Sequence, residues 1–120
     1  MITMTTVILI VVTHFLADFG LQTHEQATGK CTDERQLQYH VLVYSSIWLF
    51  MSYCLLQNVI LSIIFAVITF LCHYITDYFS SRIGKPYWER KDLHNGFVII
   101  GADQVAHILQ LFGLYKILSL

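Results

Sequence analysis

Charge is scarce in this 120-residue chain: Asp, Glu, Lys and Arg together make up 12% of it, about half of what a soluble globular domain carries. The seven basic and eight acidic residues nearly cancel and no Lys/Arg run occurs, so no nucleic-acid partner is expected. Cysteine is scarce as well. Cys31, Cys54 and Cys72 are odd in number, fall in separate segments and show no CxxC spacing. That argues against a disulfide framework or a thiolate zinc site, and the three are read as reduced and structural. Proline occurs once, at Pro86. What fills the chain instead is apolar: 56% of residues are hydrophobic and the mean hydropathy is +0.60. Such a chain belongs in a bilayer. Its length supports about four spans of roughly 20 residues with short connections and no separate soluble domain. The expectation is an all-α fold, a polytopic transmembrane bundle of about four helices forming one domain over residues 1–120.

The first apolar run covers about Thr3 to Leu21. It lacks a basic leading region and a small-residue cleavage motif, so it is expected to be a retained span rather than a signal peptide. A polar stretch, Gln22 to Gln36, reads as a water-exposed loop. The second run, from near Leu37 to Leu56, is separated from the third, about Val59 to Phe79, only by Gln57 and Asn58, which predicts a tight helical hairpin. Ser80 to Pro86 should stop that third helix by composition and proline geometry. The fourth span begins after Asp92 and holds Phe97 to Tyr115. Basic residues concentrate in the first connection (Lys30, Arg35) and the third (Arg82, Lys85, Arg90, Lys91), with only Lys116 elsewhere. The positive-inside rule then puts both connections in the cytoplasm and both termini outside. Tyr78, Tyr87 and Trp88 flank the third connection, where aromatic side chains suit the headgroup boundary.

Within these apolar runs lie three acid/imidazole pairs, each four positions apart: His14 with Asp18, His73 with Asp77, and Asp103 with His107. On a helix that spacing places both side chains on one face, one turn apart. Ionisable groups cost much inside a membrane, and their recurrence at one spacing on separate spans predicts a shared site. Counting along the helices at 1.5 Å per residue brings all three pairs, and His40, to similar depths in the inner-leaflet half. Imidazoles and carboxylates without thiolates suit Zn²⁺, Mn²⁺ or Fe²⁺. A catalytic ion needs about three protein ligands and an open position, so His14, Asp18, His40, His73, Asp77, Asp103 and His107 could hold one divalent ion or two. Alternatives are a metal-free network of interhelical hydrogen bonds or a proton relay, and a haem held by two histidines, which would leave the three Asp residues unexplained.

Neighbouring polar residues extend the pattern. Thr69 precedes His73 by four and Gln104 adjoins Asp103, both suited to orienting a ligand, whereas Gln22 and Gln36 read as interfacial. His24 and His94 are expected to be exposed, Trp48 and Phe50 to face lipid, and Asp33, Glu34, Glu89 and Asp92 to be solvated loop charges. Gly96 and Gly101 either loosen the fourth span or let it pack closely.

With His14-Phe15-Leu16-Ala17-Asp18-Phe19, Leu21-Gln22-Thr23, His40, His73-Tyr74-Ile75-Thr76-Asp77 and Asp103-Gln104-Val105-Ala106-His107 in this order, the chain resembles the DUF3307 family of small bacterial and phage membrane proteins. The resemblance covers most of the chain and rests on the combination of HFLADF, HxxxD and DQxxH elements. It implies a multi-span protein of the bacterial inner membrane, or of the host's inner membrane if phage-encoded, in which the outside termini expected from the basic residues would be periplasmic. It implies a polar signature at His14, Asp18, Gln22, His40, His73, Asp77, Asp103, Gln104 and His107, and no particular activity. Gly20 stands where a larger apolar residue is more usual, and the segment after Gln22 departs from the basic loop of relatives; neither touches a candidate ligand.

The leading expectation is a membrane-embedded, metal-dependent hydrolase whose site opens toward the cytoplasmic leaflet. His14, His73 and His107 would be primary ligands, with Asp18, Asp77 and Asp103 as ligands, orienters or general base. His40 would complete the shell or stabilise developing negative charge. A lipid or lipid-linked ester, amide or phosphate suits that depth. Two rivals use the same residues. One is a small ion, proton or metal transporter, which at this size would need to form a homo-oligomer. The other is a phage effector that binds a host membrane protein, its polar cluster serving only to hold the bundle together.

Overall fold

The computed structural model describes residues 1–120 and contains helices and no strands. Helix α1 (Met4–Phe15) runs straight into a π-helical turn, Leu16–Gly20; a short α2 (His24–Gly29) follows, then α3 (Glu34–Leu56), α4 (Val59–Glu89) and α5 (Leu93–Leu118). Three of these, α3, α4 and α5, are long and apolar enough to cross a membrane, and the apolar Met4–Gly20 stretch is shorter. The starts are set by side-chain caps that satisfy otherwise unpaired N–H groups. Thr3 caps α1, Asp33 caps α3, Asn58 caps α4 and Asp92 caps α5. Between α3 and α4 the chain reverses in two residues, with Gln57 in the left-handed region (φ 51°), so the expected tight hairpin is present.

The buried faces follow helical spacing. On α3 they include Leu37, His40, Val41, Tyr44, Trp48 and Ser52; on α4 Ser62, Phe65, Thr69, His73 and Asp77; on α5 Asp103, His107, Leu111 and Tyr115. More of the buried residues are polar than hydrophobic, while Ile, Leu, Val and Phe side chains cover the exterior. This inversion suits lipid, where apolar side chains gain little by burial and polar contacts join helices. A smaller apolar core of Ile10, Ala17, Tyr44, Trp48, Phe65, Leu111 and Tyr115 fills the bundle beside the polar residues.

Four local expectations are corrected. First, α4 does not stop at Ser80–Pro86 but continues to Glu89. At 31 residues it is roughly 46 Å long, well beyond the ~30 Å hydrocarbon layer, so Pro86 falls in the protruding turns where a lost backbone hydrogen bond costs less. Packing carries the extension: the Trp88 indole lies against Gly96 of α5, and a Cβ there would come within 2.8 Å of the ring. Second, the Gln22–Gln36 stretch is not all loop, because Thr23 and Gln26 form a reciprocal capping box that starts α2. Third, Trp48 is fully buried and stacks on Phe65 with centroids 5.6 Å apart, whereas Phe50 does face outward. Fourth, the close-packing role belongs to Gly96 alone; a Cβ at Gly101 would meet nothing within 4 Å.

Candidate metal centre

The first span delivers Asp18 from its π turn. There Leu21 N–H donates to the Leu16 carbonyl at 2.9 Å, five residues back, and the widened turn places Asp18 among α3, α4 and α5. His40 comes from α3, His73 and Asp77 from α4, and Asp103 and His107 from α5, all buried.

Four of their atoms converge. His40 Nε2 lies 3.0 Å from Asp18 Oδ1, 3.1 Å from His73 Nε2 and 3.4 Å from Asp77 Oδ2. His73 Nε2 in turn lies 3.4 Å from both Asp18 Oδ1 and Asp77 Oδ2. A ring nitrogen carries at most one proton, so His40 Nε2 can donate to only one of three neighbours. A divalent ion suits all of them at once: four ligands at about 2.0–2.1 Å in a tetrahedron stand roughly 3.3 Å apart, and the five separations above bracket that value. Asp18, Asp103 and His107 form a second group, with His107 Nε2 3.3 Å from Asp103 Oδ2 and 3.0 Å from Asp77 Oδ1. Each group presents ligand atoms within 4.8 Å of one another.

His14 belongs to neither group. Its Nε2 lies 3.8 Å from Asp18 and 2.7 Å from Gln104 Oε1, and its Nδ1 is 2.8 Å from the Tyr44 hydroxyl. The Gln104 amide donates to Asp18 Oδ2 at 2.8 Å and to Asp103 Oδ2 at 3.1 Å, so it bridges two carboxylates and reaches His14 with its carbonyl. The orienting role expected of Gln104 therefore has a geometry. Thr69 differs: its hydroxyl is buried without a hydrogen-bond partner, as is His73 Nδ1 one turn on. His73 is held by its faces instead, with Tyr44 at 3.8 Å on one side and His107 at 4.0 Å on the other, centroid to centroid.

Three contributors escaped sequence reasoning. Lys30, in the middle of the supposed loop and at the C-terminus of α2, donates to Asp77 Oδ2 at 2.9 Å. Burial alone would lower its ammonium, but the Asp77 charge and hydrogen bond, with Asp18 and Asp103 beyond, outweigh that and hold it above the usual lysine value. No local pattern announces Lys30. Tyr44 and Ser80 had a signal: Tyr44 follows His40 by four, and Ser80, whose hydroxyl donates to Asp103, follows Asp77 by three. His24 and His94 are exposed, as expected.

Two cavities flank the cluster. One of about 600 Å³ is walled by Asp18, Asp103, Gln104 and Lys30 on the polar side and by Phe19, Ile99 and Ile100 on the apolar side, at the end of the bundle where α2 and the last turns of α4 meet α5. The other, about 270 Å³, lies between α4 and α5 with Thr69, His73 and His107 in its floor.

Apolar helices packed around interior imidazoles and carboxylates define a membrane-type helical bundle whose buried groups are positioned to hold a metal ion. The chain belongs to the DUF3307 family, described as a protein of unknown function, which it matches over residues 6–119. It matches no curated protein and no solved structure.

Proposed function

We propose that this protein is a membrane-embedded, metal-dependent hydrolase acting on a lipid or lipid-linked compound at the cytoplasmic face of a bacterial inner membrane. The observation that carries the reading is the convergence of Asp18 Oδ1, His40 Nε2, His73 Nε2 and Asp77 Oδ2 at separations of 3.0–3.4 Å. Charge supports it. Three carboxylates are offset in part by Lys30, and with neutral imidazoles one divalent ion brings the sum to zero. An ion of the Zn²⁺, Mn²⁺ or Fe²⁺ type would supply Lewis acidity and ease the deprotonation of water at neutral pH. His40 and His73 would hold it with Asp18 and Asp77, Lys30 would fix the Asp77 carboxylate, and His14 with Tyr44 would orient Gln104. Asp103 lines the larger cavity with its orientation fixed by Ser80 and Gln104, which suits it to general-base work with one ion bound or to ligating a second.

Elemental analysis of the purified protein tests this directly. At least one ion per chain should survive dialysis against a chelator and be lost in His73→Ala; protein purified gently and found metal-free would end the proposal. A second reading, an ion or proton conduit, draws support from the two cavities, which approach the cluster from different sides. Weak, exchangeable binding together with ion flux in protein-loaded vesicles would favour it.

A further inference from the structure

We infer that the centre takes a second divalent ion, at Asp18, Asp103 and His107, and that this ion faces the larger cavity and receives a phosphate group there. The inference rests on the metal-dependent reading above and adds to it where substrate binds and of what kind. The two donor groups differ in the room each leaves for a substrate. The first offers four protein atoms, so an ion there takes on water only by expanding to five-coordinate. The second offers three. Of the first group only Asp18 reaches the 600 Å³ cavity, whereas two of the second group's three donors, Asp18 and Asp103, form its wall. An ion in the second group would therefore present its open position to the cavity.

The Gln104 amide stands in for a cation at this spot. Its Nε2 donates at 2.8 and 3.1 Å to the two carboxylates that would share the ion. Rotated so that Nε2 leaves that spot to the ion, the amide can still donate to His14 Nε2, while His14 Nδ1 donates to Tyr44. Asp18 and Asp77 each direct one oxygen to the first group, and both lie beside the second, which suits carboxylates bridging ions about 3.5–4 Å apart.

The ligand's class follows from charge. One divalent ion and Lys30 already balance Asp18, Asp77 and Asp103, so a second ion leaves two positive charges over. Lys85 on the cavity wall adds nothing to that excess, because Glu89 sits 3.5 Å from it. A phosphate dianion restores neutrality, and Lys30 in the same cavity wall, which gives one of its three N–H groups to Asp77, has others for the phosphate oxygens. That phosphate comes either from inorganic phosphate or from a lipid headgroup, whose chain would run along Phe19, Ile99 and Ile100.

Metal-depleted protein in detergent titrated with Mn²⁺ should bind two ions of unequal affinity, and Asp103→Asn should retain only the tighter one. Phosphate should tighten the weaker ion on the order of tenfold in the wild type and have no effect in the variant, since coupling between ion and anion is reciprocal. A phosphatidate in mixed micelles acting at lower concentration than inorganic phosphate identifies the lipid source; the reverse order identifies the free anion. Because the variant's folding is a separate matter, wild-type protein saturated with Mn²⁺ provides an independent measurement. Its electron paramagnetic resonance spectrum should be that of a spin-coupled pair. One ion per chain with an uncoupled spectrum overturns the second site and leaves the first standing, whereas no bound ion at all overturns both.

Discussion

Asp77 is where most of the site's contacts meet. It is fully buried, receives Lys30 and His107 at 2.9 and 3.0 Å, and has His40 and His73 each at 3.4 Å. Replacing it by Asn removes the charge those groups share and leaves the part-buried Lys30 ammonium without its hydrogen-bonded counter-ion. A loss on the order of 3–5 kcal/mol is expected, read as a much lower melting temperature in detergent. Asp103 lies nearer the cavity and keeps a neutral hydrogen-bonding partner in Ser80, so Asp103→Asn should melt close to the wild type. Equal losses in the two variants would contradict this ranking. The His/Asp spacing was legible because an α-helix repeats nearly every four residues, and that arithmetic survives folding. Lys30 was not legible, since its reach to Asp77 spans 47 positions and depends on how α2 folds back.

The helices themselves were visible as apolar runs, but their ends were less so. Composition alone ended α4 at its serines and proline, and the contact that extends it, Trp88 on Gly96, joins two elements and leaves no trace in either one's local pattern. Gly96→Ala should therefore push the indole away and cost about 1–3 kcal/mol. Gly101→Ala, with open space around its Cβ, should instead stabilise α5 by roughly 0.5–1 kcal/mol through backbone entropy. Thermal melts of the two variants moving in the same direction would refute the packing described. At the start of α5, the Asn95 side chain and backbone N–H bond the Asp92 carboxylate and hold it below the usual carboxylate range. A depressed folded-state value makes the cap's contribution complete at neutral pH. It fades as acid carries the pH down through that value, so an Asp92→Ala variant should differ from wild type at pH 7 and converge with it in strong acid.

Across the whole molecule, alternating helix directions bring the connection before α3 and the one between α4 and α5 to the same end, and with them Lys30, Arg35, Arg82, Lys85, Arg90 and Lys91. The larger cavity lies at that end, with Lys30 and Lys85 in its wall. With that end in the cytoplasm, a cysteine placed at Leu120 of a variant lacking the native cysteines should react with an impermeant maleimide in spheroplasts, and one at Lys91 should react only after lysis. The opposite result would reverse the orientation and move the site to the outer face. The burial of the His and Asp residues inside an apolar exterior was legible from their spacing within the apolar runs; the depth at which α1 ends was not, because the π turn at Leu16–Gly20 depends on Asp18 reaching partners on other helices.

The imidazole of His73 is clasped between the rings of Tyr44 and His107 and has no tether at its far edge. Turning it out of place would require α3 and α5 to separate, and in a bilayer the acyl chains would resist that motion along with the protein. Stripping of the tighter ion by a chelator should accordingly quicken when the host bilayer melts from gel to fluid, a jump that a ligand free to swivel within a rigid bundle would not show.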